Sequence, residues 1–250
     1  MWAVRCVHEA SLHDANCCVT LTYDEDHLPE HGNLVYRDFQ LFLKRLRKFV
    51  APVKVRFFCG GEYGDRSSRP HFHALLFGYC FPDLVVHSSR DGVARLWTSV
   101  IADRLWQNGN VVVGECTFES AAYIARYLLG KQYGVAGQSN YWNVVPETGE
   151  IVFERDREFA HMSLRPGIGA DWIRLYWRDC LRAGGVVSRG QVVPLPRSYS
   201  RYMSGLDDFV VLKQRMRADA QKLWRDNTPR RLKDKARVAA ARLGLSRRVL

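Results

Sequence analysis

Arg69-Pro70-His71-Phe72-His73-Ala74-Leu75-Leu76-Phe77-Gly78 is the stretch from which the fold is read. Successive side chains of a strand point to opposite faces, so His71 and His73 share one face while Phe72, Ala74 and Leu76 fill the other. Pro70 suits a strand's first position, where no ladder hydrogen bond is needed. Two imidazoles flanking one apolar residue on a buried strand form a metal-binding geometry. Glu62 is the expected third ligand, because it lies just upstream in a Gly-rich run and an anionic oxygen tunes the site toward Mg²⁺ or Mn²⁺; Asp65 is the runner-up.

Working outward, Cys17 to Tyr23, Val53 to Cys59 and Val111 to Phe118 are rich in β-branched and aromatic residues and are bounded by turn formers, which predicts three more strands. Asp38 is the expected cap of a helix with Phe39, Phe42, Leu43, Leu46, Phe49 and Val50 at helical spacing. Lys44, Arg45, Arg47 and Lys48 are on its wet side. Val93, Leu96, Trp97, Val100, Ile101 and Leu105 predict another helix. Glu119 to Lys131 predicts a third, on which Tyr123, Tyr127 and Lys131 step by four and so line one stripe, away from the small apolar face of Ala121, Ile124, Ala125 and Leu128. The order strand, helix, strand, strand, helix, strand, helix gives an α+β fold: a central antiparallel sheet with helices packed on it.

Beyond Gly134, residues 137–150 read as an exposed loop and Trp172 to Ala183 as a helix with Asp171 as cap and Gly184-Gly185 as stop. Val186 to Val193 reads as a hairpin turning at Arg189-Gly190. From Asp207 the pattern is one or two basic helices interrupted at Pro229. The expected organisation is a core over 1–135, an extension over 136–205 and a basic helical tail over 206–250.

Charge is unevenly placed. The chain of 250 residues has a formal net charge of +11, yet the last 38 residues hold 13 Lys and Arg against three acids, which leaves the body nearly neutral. A basic segment of this kind gains affinity for nucleic acid by releasing phosphate counterions. No apolar run is long enough to cross a membrane, and Arg5, His8, Glu9 and Asp14 exclude a secretory signal at the start, so a cytoplasmic protein is expected. Seven cysteines without a Cys-x-x-Cys pair argue against a disulfide framework or a zinc ribbon. Cys17, Cys18 and Cys59 read as small buried hydrophobes.

Three blocks in order carry a resemblance: Val19-Thr20-Leu21-Thr22-Tyr23-Asp24-Glu25-Asp26-His27-Leu28-Pro29, then Cys59-Gly60-Gly61-Glu62-Tyr63-Gly64 with the Arg-Pro-His-Phe-His segment, then the two-tyrosine helix. Trp2 to Ala10, Met162 to Gly169 and Leu195-Pro196-Arg197 extend it to roughly residues 2–205. The chain resembles the HUH endonucleases, and within them the rolling-circle replication initiators of gokushovirus-type microviruses. Such initiators are expected to carry a Cys- and Arg-rich segment ahead of the Trp-Ala-Val-Arg block with which this chain begins, so a truncated or shifted start, lacking any DNA contact of that arm, is expected.

The resemblance implies a palm-like sheet with the histidine strand near its middle, a divalent cation on His71, His73 and Glu62, and attack by Tyr123 or Tyr127 on single-stranded DNA at a replication origin. It implies a 5′-phosphotyrosine link, a free 3′-hydroxyl for a host polymerase, and later rejoining into a circle. Lys131 is placed to neutralise a phosphate or the departing phenolate, and Arg69, Arg126, Lys44 and Arg47 are expected DNA contacts. Thr20, Thr22 and Asp24 are further candidates for touching DNA. The competing readings are a non-catalytic single-stranded nucleic-acid-binding module and a two-His, one-carboxylate hydrolase or oxygenase with structural tyrosines.

Overall fold

The structure is a computed structural model and describes residues 1–64, 67–90, 93–127, 141–145 and 147–246, with the side chains of residues 90, 93–94, 126–127 and 243–246 left out. It divides into two units, Met1–Leu175 and Tyr176–Leu250.

The first unit is built on a seven-stranded antiparallel sheet ordered β4-β5-β6-β1-β3-β2-β9. Its strands are β1 (Asn16–Tyr23), β2 (Arg56–Tyr63), β3 (Pro70–Phe77), β4 (Val85–Arg90), β5 (Val93–Thr98), β6 (Gly109–Gly114) and β9 (Phe159–Met162). The histidine strand β3 lies between β1 and β2, as the period-two pattern and the resemblance imply. A two-stranded ribbon of β7 (Trp142–Val144) and β8 (Ile151–Glu154) stands apart from this sheet. Its first strand falls within the stretch expected to be loop. Strands three and four residues long carry too little alternation to be read from sequence.

Both faces of the sheet are covered. On one, α2 (Tyr36–Phe49) buries Phe39, Phe42, Leu43 and Leu46 against Leu21, Phe72, Ala74, Leu76 and Trp106. Asp38 is not the cap of α2, whose first residue is Tyr36. It lies in the first turn and accepts the Tyr23 hydroxyl at 2.7 Å, which with burial holds that phenol far above its ordinary pKa. Arg45, expected on the wet side, donates to the Leu105 and Trp106 carbonyls and so satisfies acceptors at the end of α3 (Val100–Trp106).

On the other face, α1 (Trp2–Ala10) and α4 (Phe118–Tyr127) pack Ala3, Cys6, Ala121 and Ile124 against Phe58, Leu75 and Phe77. The helices α2 and α4 thus belong to opposite layers although both read simply as helix.

The helix expected from Val93 to Leu105 is corrected. Val93–Thr98 is strand β5, paired with β4, and only Val100–Trp106 is helical. Ser99 divides them: its Oγ accepts from the Ala102 amide at 3.0 Å, an N-cap that fixes the helix start inside the apolar run. Likewise β6 ends at Gly114 rather than running to residue 118, since Thr117 and Ser120 form a reciprocal cap that starts α4.

The N-terminal helix is pinned to a distant segment. Glu9, almost wholly buried, pairs with Arg56 and accepts from the Gly169 amide at 2.7 Å, while Arg5 donates to the Ile168 carbonyl at 2.9 Å. His8 stacks on Trp172 with ring centroids 3.5 Å apart, and its burial lowers its pKa from 6.5 to about 4. The unfolded chain then binds a proton between about pH 6.5 and 4 that the folded chain refuses, so stability falls as pH drops through that window, by up to about 3 kcal/mol. Urea unfolding at pH 7 and pH 4.5 should show a loss smaller by about 2–3 kcal/mol in His8→Phe than in the native chain. An identical loss in both would remove His8 from the account.

In the second unit, the hairpin of β10 (Val186–Ser188) and β11 (Gln191–Val193) turns at Arg189 and Gly190, both with positive φ (53° and 74°), as its sequence predicts. The end of α5 (Ala170–Ala183) stops at Gly184 (φ 71°). After the short α6 (Arg197–Tyr202) come two basic helices, α7 (Asp207–Lys222) and α8 (Pro229–Ser246). Pro229 opens α8, where its missing N–H costs nothing. No helix among the described residues is long and apolar enough to cross a membrane.

Candidate functional site

Glu62, His71 and His73 come together on the α4 side of the sheet. Strand register places them: Glu62 is opposite His71, and Gly60 opposite His73, along the β2–β3 ladder. Strand β2 runs past the expected end at Cys59 and through both glycines, so Glu62 is a strand residue rather than part of a loop.

Both Nε2 atoms converge on one carboxylate oxygen. His71 Nε2 lies 2.7 Å and His73 Nε2 2.9 Å from Glu62 Oε1, with the two rings nearly perpendicular. The carboxylate is 4% exposed and the imidazoles 17% and 12%, so the edge of the site is open to solvent while its anion is shielded.

Behind the rings, the Nδ1 atoms are held. His71 Nδ1 is 3.1 Å from the Arg69 carbonyl and His73 Nδ1 2.9 Å from Thr20 Oγ1. A carbonyl can only accept, so His71 Nδ1 donates and, in the neutral ring, Nε2 is left with its lone pair aimed at the carboxylate. A lone pair facing an anion at 2.7 Å needs a proton or a cation between them. Burial acts first on the Glu62 carboxyl and pushes its pKa up, but the two histidines outweigh it and the net shift is downward. Glu62 Oε2 is buried and makes no hydrogen bond to any described residue.

These observations fit a divalent cation. Three ligand atoms lie within 4.8 Å of one another, the imidazoles are oriented from behind as metal-ligating histidines usually are, and a carboxylate oxygen is left over. Among the described residues this is the one such group of three.

Tyr123 is set beside the site. Its ring meets His73 edge-on with centroids 5.1 Å apart. Gly60 allows this approach: a Cβ there would lie 3.2 Å from Ile124 Cγ2, so α4 rests directly on the backbone of β2 opposite His73.

The other expected site residues are placed as follows. Tyr127 and Arg126 lie on α4, four and three residues beyond Tyr123, and of these two only the backbone is described. Lys131 and Asp65 lie outside the described residues. Arg69 pairs with Glu25 and donates to the Tyr23 carbonyl at 3.0 Å, close to His71 through its own carbonyl. Lys44 and Arg47 are exposed on α2, across the sheet from the histidines, and the Arg47 guanidinium is committed to the Val55 carbonyl. The structure therefore does not bring Lys44 or Arg47 to the cation site. Asp24 is engaged with His27, at 2.7 Å.

Thr20 and Gly60 are positioning residues that sequence reading does not assign. Alternation in Val19-Thr20-Leu21-Thr22-Tyr23 puts Thr20 on a polar face, but only the pairing of Thr20 with His73 reveals what it touches.

The family model for the replication-associated protein ORF2 matches residues 16–132. The chain is 32% identical over 207 residues to replication-associated protein VP4 of Bdellovibrio phage phiMH2K, covering 79% of this chain and 60% of that one. It is 33% identical over 138 residues to replication-associated protein ORF2 of Spiroplasma virus 4 (52% and 43%), and 30% identical over 204 residues to replication-associated protein ORF4 of Chlamydia phage 1 (79% and 48%). The chain thus spans about half the length of these relatives. No solved structure matches it. The matched segment contains β1, β2, β3 and α4, that is, every residue of the cation site and the tyrosine beside it, and on this ground the chain belongs, over residues 16–132, to the family of the replication-associated protein ORF2.

Proposed function

We propose that this protein is a phage replication initiator that nicks one strand of DNA at an origin through a tyrosine and later rejoins it. The observation that carries the reading is the edge-on contact of Tyr123 with His73, one of three convergent groups suited to a divalent cation. The replication-associated names of its relatives agree with it.

In nicking, the tyrosine oxygen forms a bond to phosphorus as the bond to the 3′ oxygen breaks. The phenol loses its proton, the 3′ oxygen gains one, and a 5′-phosphotyrosine remains. Rejoining reverses these changes when a 3′-hydroxyl attacks that linkage, so no ATP is needed. A free phenol titrates near pH 10, which makes it a poor nucleophile at neutral pH. Mg²⁺ or Mn²⁺ held by Glu62, His71 and His73 would supply charge stabilisation at the phosphoryl oxygens. The chain's own contribution is placement: Thr20 and the Arg69 carbonyl fix the imidazoles, and Gly60 and Ile124 fix the helix that carries Tyr123. Tyr127, one turn on, is the proposed second nucleophile for the alternate cut, and Lys131 a proposed phosphate contact. Arg69 and Arg126 are proposed DNA contacts, single-stranded origin DNA the substrate, and host replication proteins the partners that extend the 3′ end.

Incubation with single-stranded DNA from the origin and Mn²⁺ should give a covalent protein–DNA band on a denaturing gel, lost with EDTA. DNA binding that ignores chelator, without any such band, would favour a non-catalytic module.

Gly60→Val should cost about 1–3 kcal/mol by overpacking against Ile124. Because a misplacement of about 1 Å can cost on the order of 10²-fold in rate, adduct formation should fall far more than folding does. A variant that forms adduct at the native rate would show that α4 need not rest on β2.

A further inference from the structure

Helix α8 carries Arg230, Arg231, Lys233, Lys235, Arg237 and Arg242 against one acid, Asp234. Every side chain from Arg230 to Arg242 is exposed, including Leu232 and Val238 at 49% and 51%. At about 100° per residue the six cations fall into two stripes. Arg230, Lys233 and Arg237 form one, and Arg231, Lys235 and Arg242 the other. Between them runs a narrow face of Leu232, Ala236 and Ala239. Arg231 and Arg237 also meet Asp226 and Asp234, at 2.9 and 3.8 Å, but surface pairs of this kind are worth little and yield to a stronger anion.

We propose that α8 lies along a groove of double-stranded DNA and holds phosphates of both strands without reading sequence. Two cationic rails on either side of a slim face match the two backbones that border a groove. An α-helix with its side chains is about 10–12 Å across, close to the roughly 12 Å width of the major groove, and the alanines let it sit deep. Unpaired DNA is held chiefly by stacking on aromatic rings, and α8 contains none. A lipid surface calls for bulky apolar anchors, which one leucine and two alanines do not supply. A second copy of α8 would set like charges against each other. The inference is independent of the cation site: it concerns a different element and a different form of DNA.

Its test uses the full chain and the variant Arg230→Gln, Lys233→Gln, Lys235→Gln, Arg242→Gln, which keeps good helix formers throughout. Fluorescence anisotropy is read on a random-sequence duplex and on one of its separated strands over a range of salt. Removing four phosphate contacts should flatten the slope of log K against log salt for duplex by about 3–4 and weaken binding about 10- to 100-fold or more at 0.1 M salt. Single-strand binding and adduct formation on a single-stranded origin oligonucleotide should stay within about threefold, and Lys at all four positions should retain duplex binding, since either cation neutralises a phosphate. Unchanged duplex affinity and slope, an equal loss on the single strand, or a loss confined to anionic phosphatidylglycerol vesicles would each overturn the proposal. Because adduct formation is scored separately, failure here and failure of the nicking reading are told apart.

Discussion

Tyr123→Phe combined with Tyr127→Phe is expected to abolish the covalent protein–DNA adduct, a loss of at least about 10³-fold, with folding almost unaffected. Phenylalanine preserves the ring that meets His73 edge-on and removes only the oxygen. The stability cost should stay near 1 kcal/mol or below for each missing hydroxyl. Tyr123→Phe alone should reduce the first cut, because its ring is the one in contact with the cation site, and Tyr127→Phe alone should show most clearly when a second cut is required. Denaturing gels on labelled DNA, read beside thermal unfolding of the same preparations, separate lost chemistry from lost structure. An adduct that survives in the double variant would place the nucleophile elsewhere and defeat the proposed mechanism.

Glu62→Gln is the second change with a large expected effect. It keeps the shape of the carboxylate while removing the anion toward which both imidazoles turn. A ligand present at 100 times its dissociation constant stabilises the folded state by about 2.7 kcal/mol, which for a chain of this size raises Tm by about 5–10 °C. The native protein should show such a rise with Mn²⁺, and Glu62→Gln should lose most of it. Adduct formation should fall by about 10²-fold or more, since even weaker perturbations of a metal site cost about 10- to 100-fold. An undiminished Mn²⁺ shift in Glu62→Gln would mean that the cation is held without this carboxylate.

The paired histidines are legible because a strand's period of two needs no knowledge of its neighbours. Glu62 is legible as a residue type near the motif, yet its position in a strand opposite His71 depends on cross-strand register, which one strand's sequence does not encode. Thr20 and Gly60 stay silent for the same reason: one acts through a hydrogen bond across β1 and β3, the other through space it leaves for α4. Residues 93–105 mislead because an apolar run fits both periods, and Ser99, which divides strand from helix, looks like any other serine until its amide partner is known. Lys44 and Arg47 show the complementary limit. Helical periodicity correctly puts them on the wet side of α2, but which face of the sheet that helix covers decides whether they can meet the histidines, and it covers the far one.

The pin between Glu9 and Gly169 has a consequence for how the molecule is made. Translation delivers α1 first and its anchor some 160 residues later, so the buried carboxylate has no Gly169 amide, and Arg5 no Ile168 carbonyl, until the ribosome has released that loop. Throughout synthesis, the layer in which α1 and the tyrosine-bearing α4 pack together is therefore unfinished, and its closure waits for a late stretch of the polypeptide to emerge.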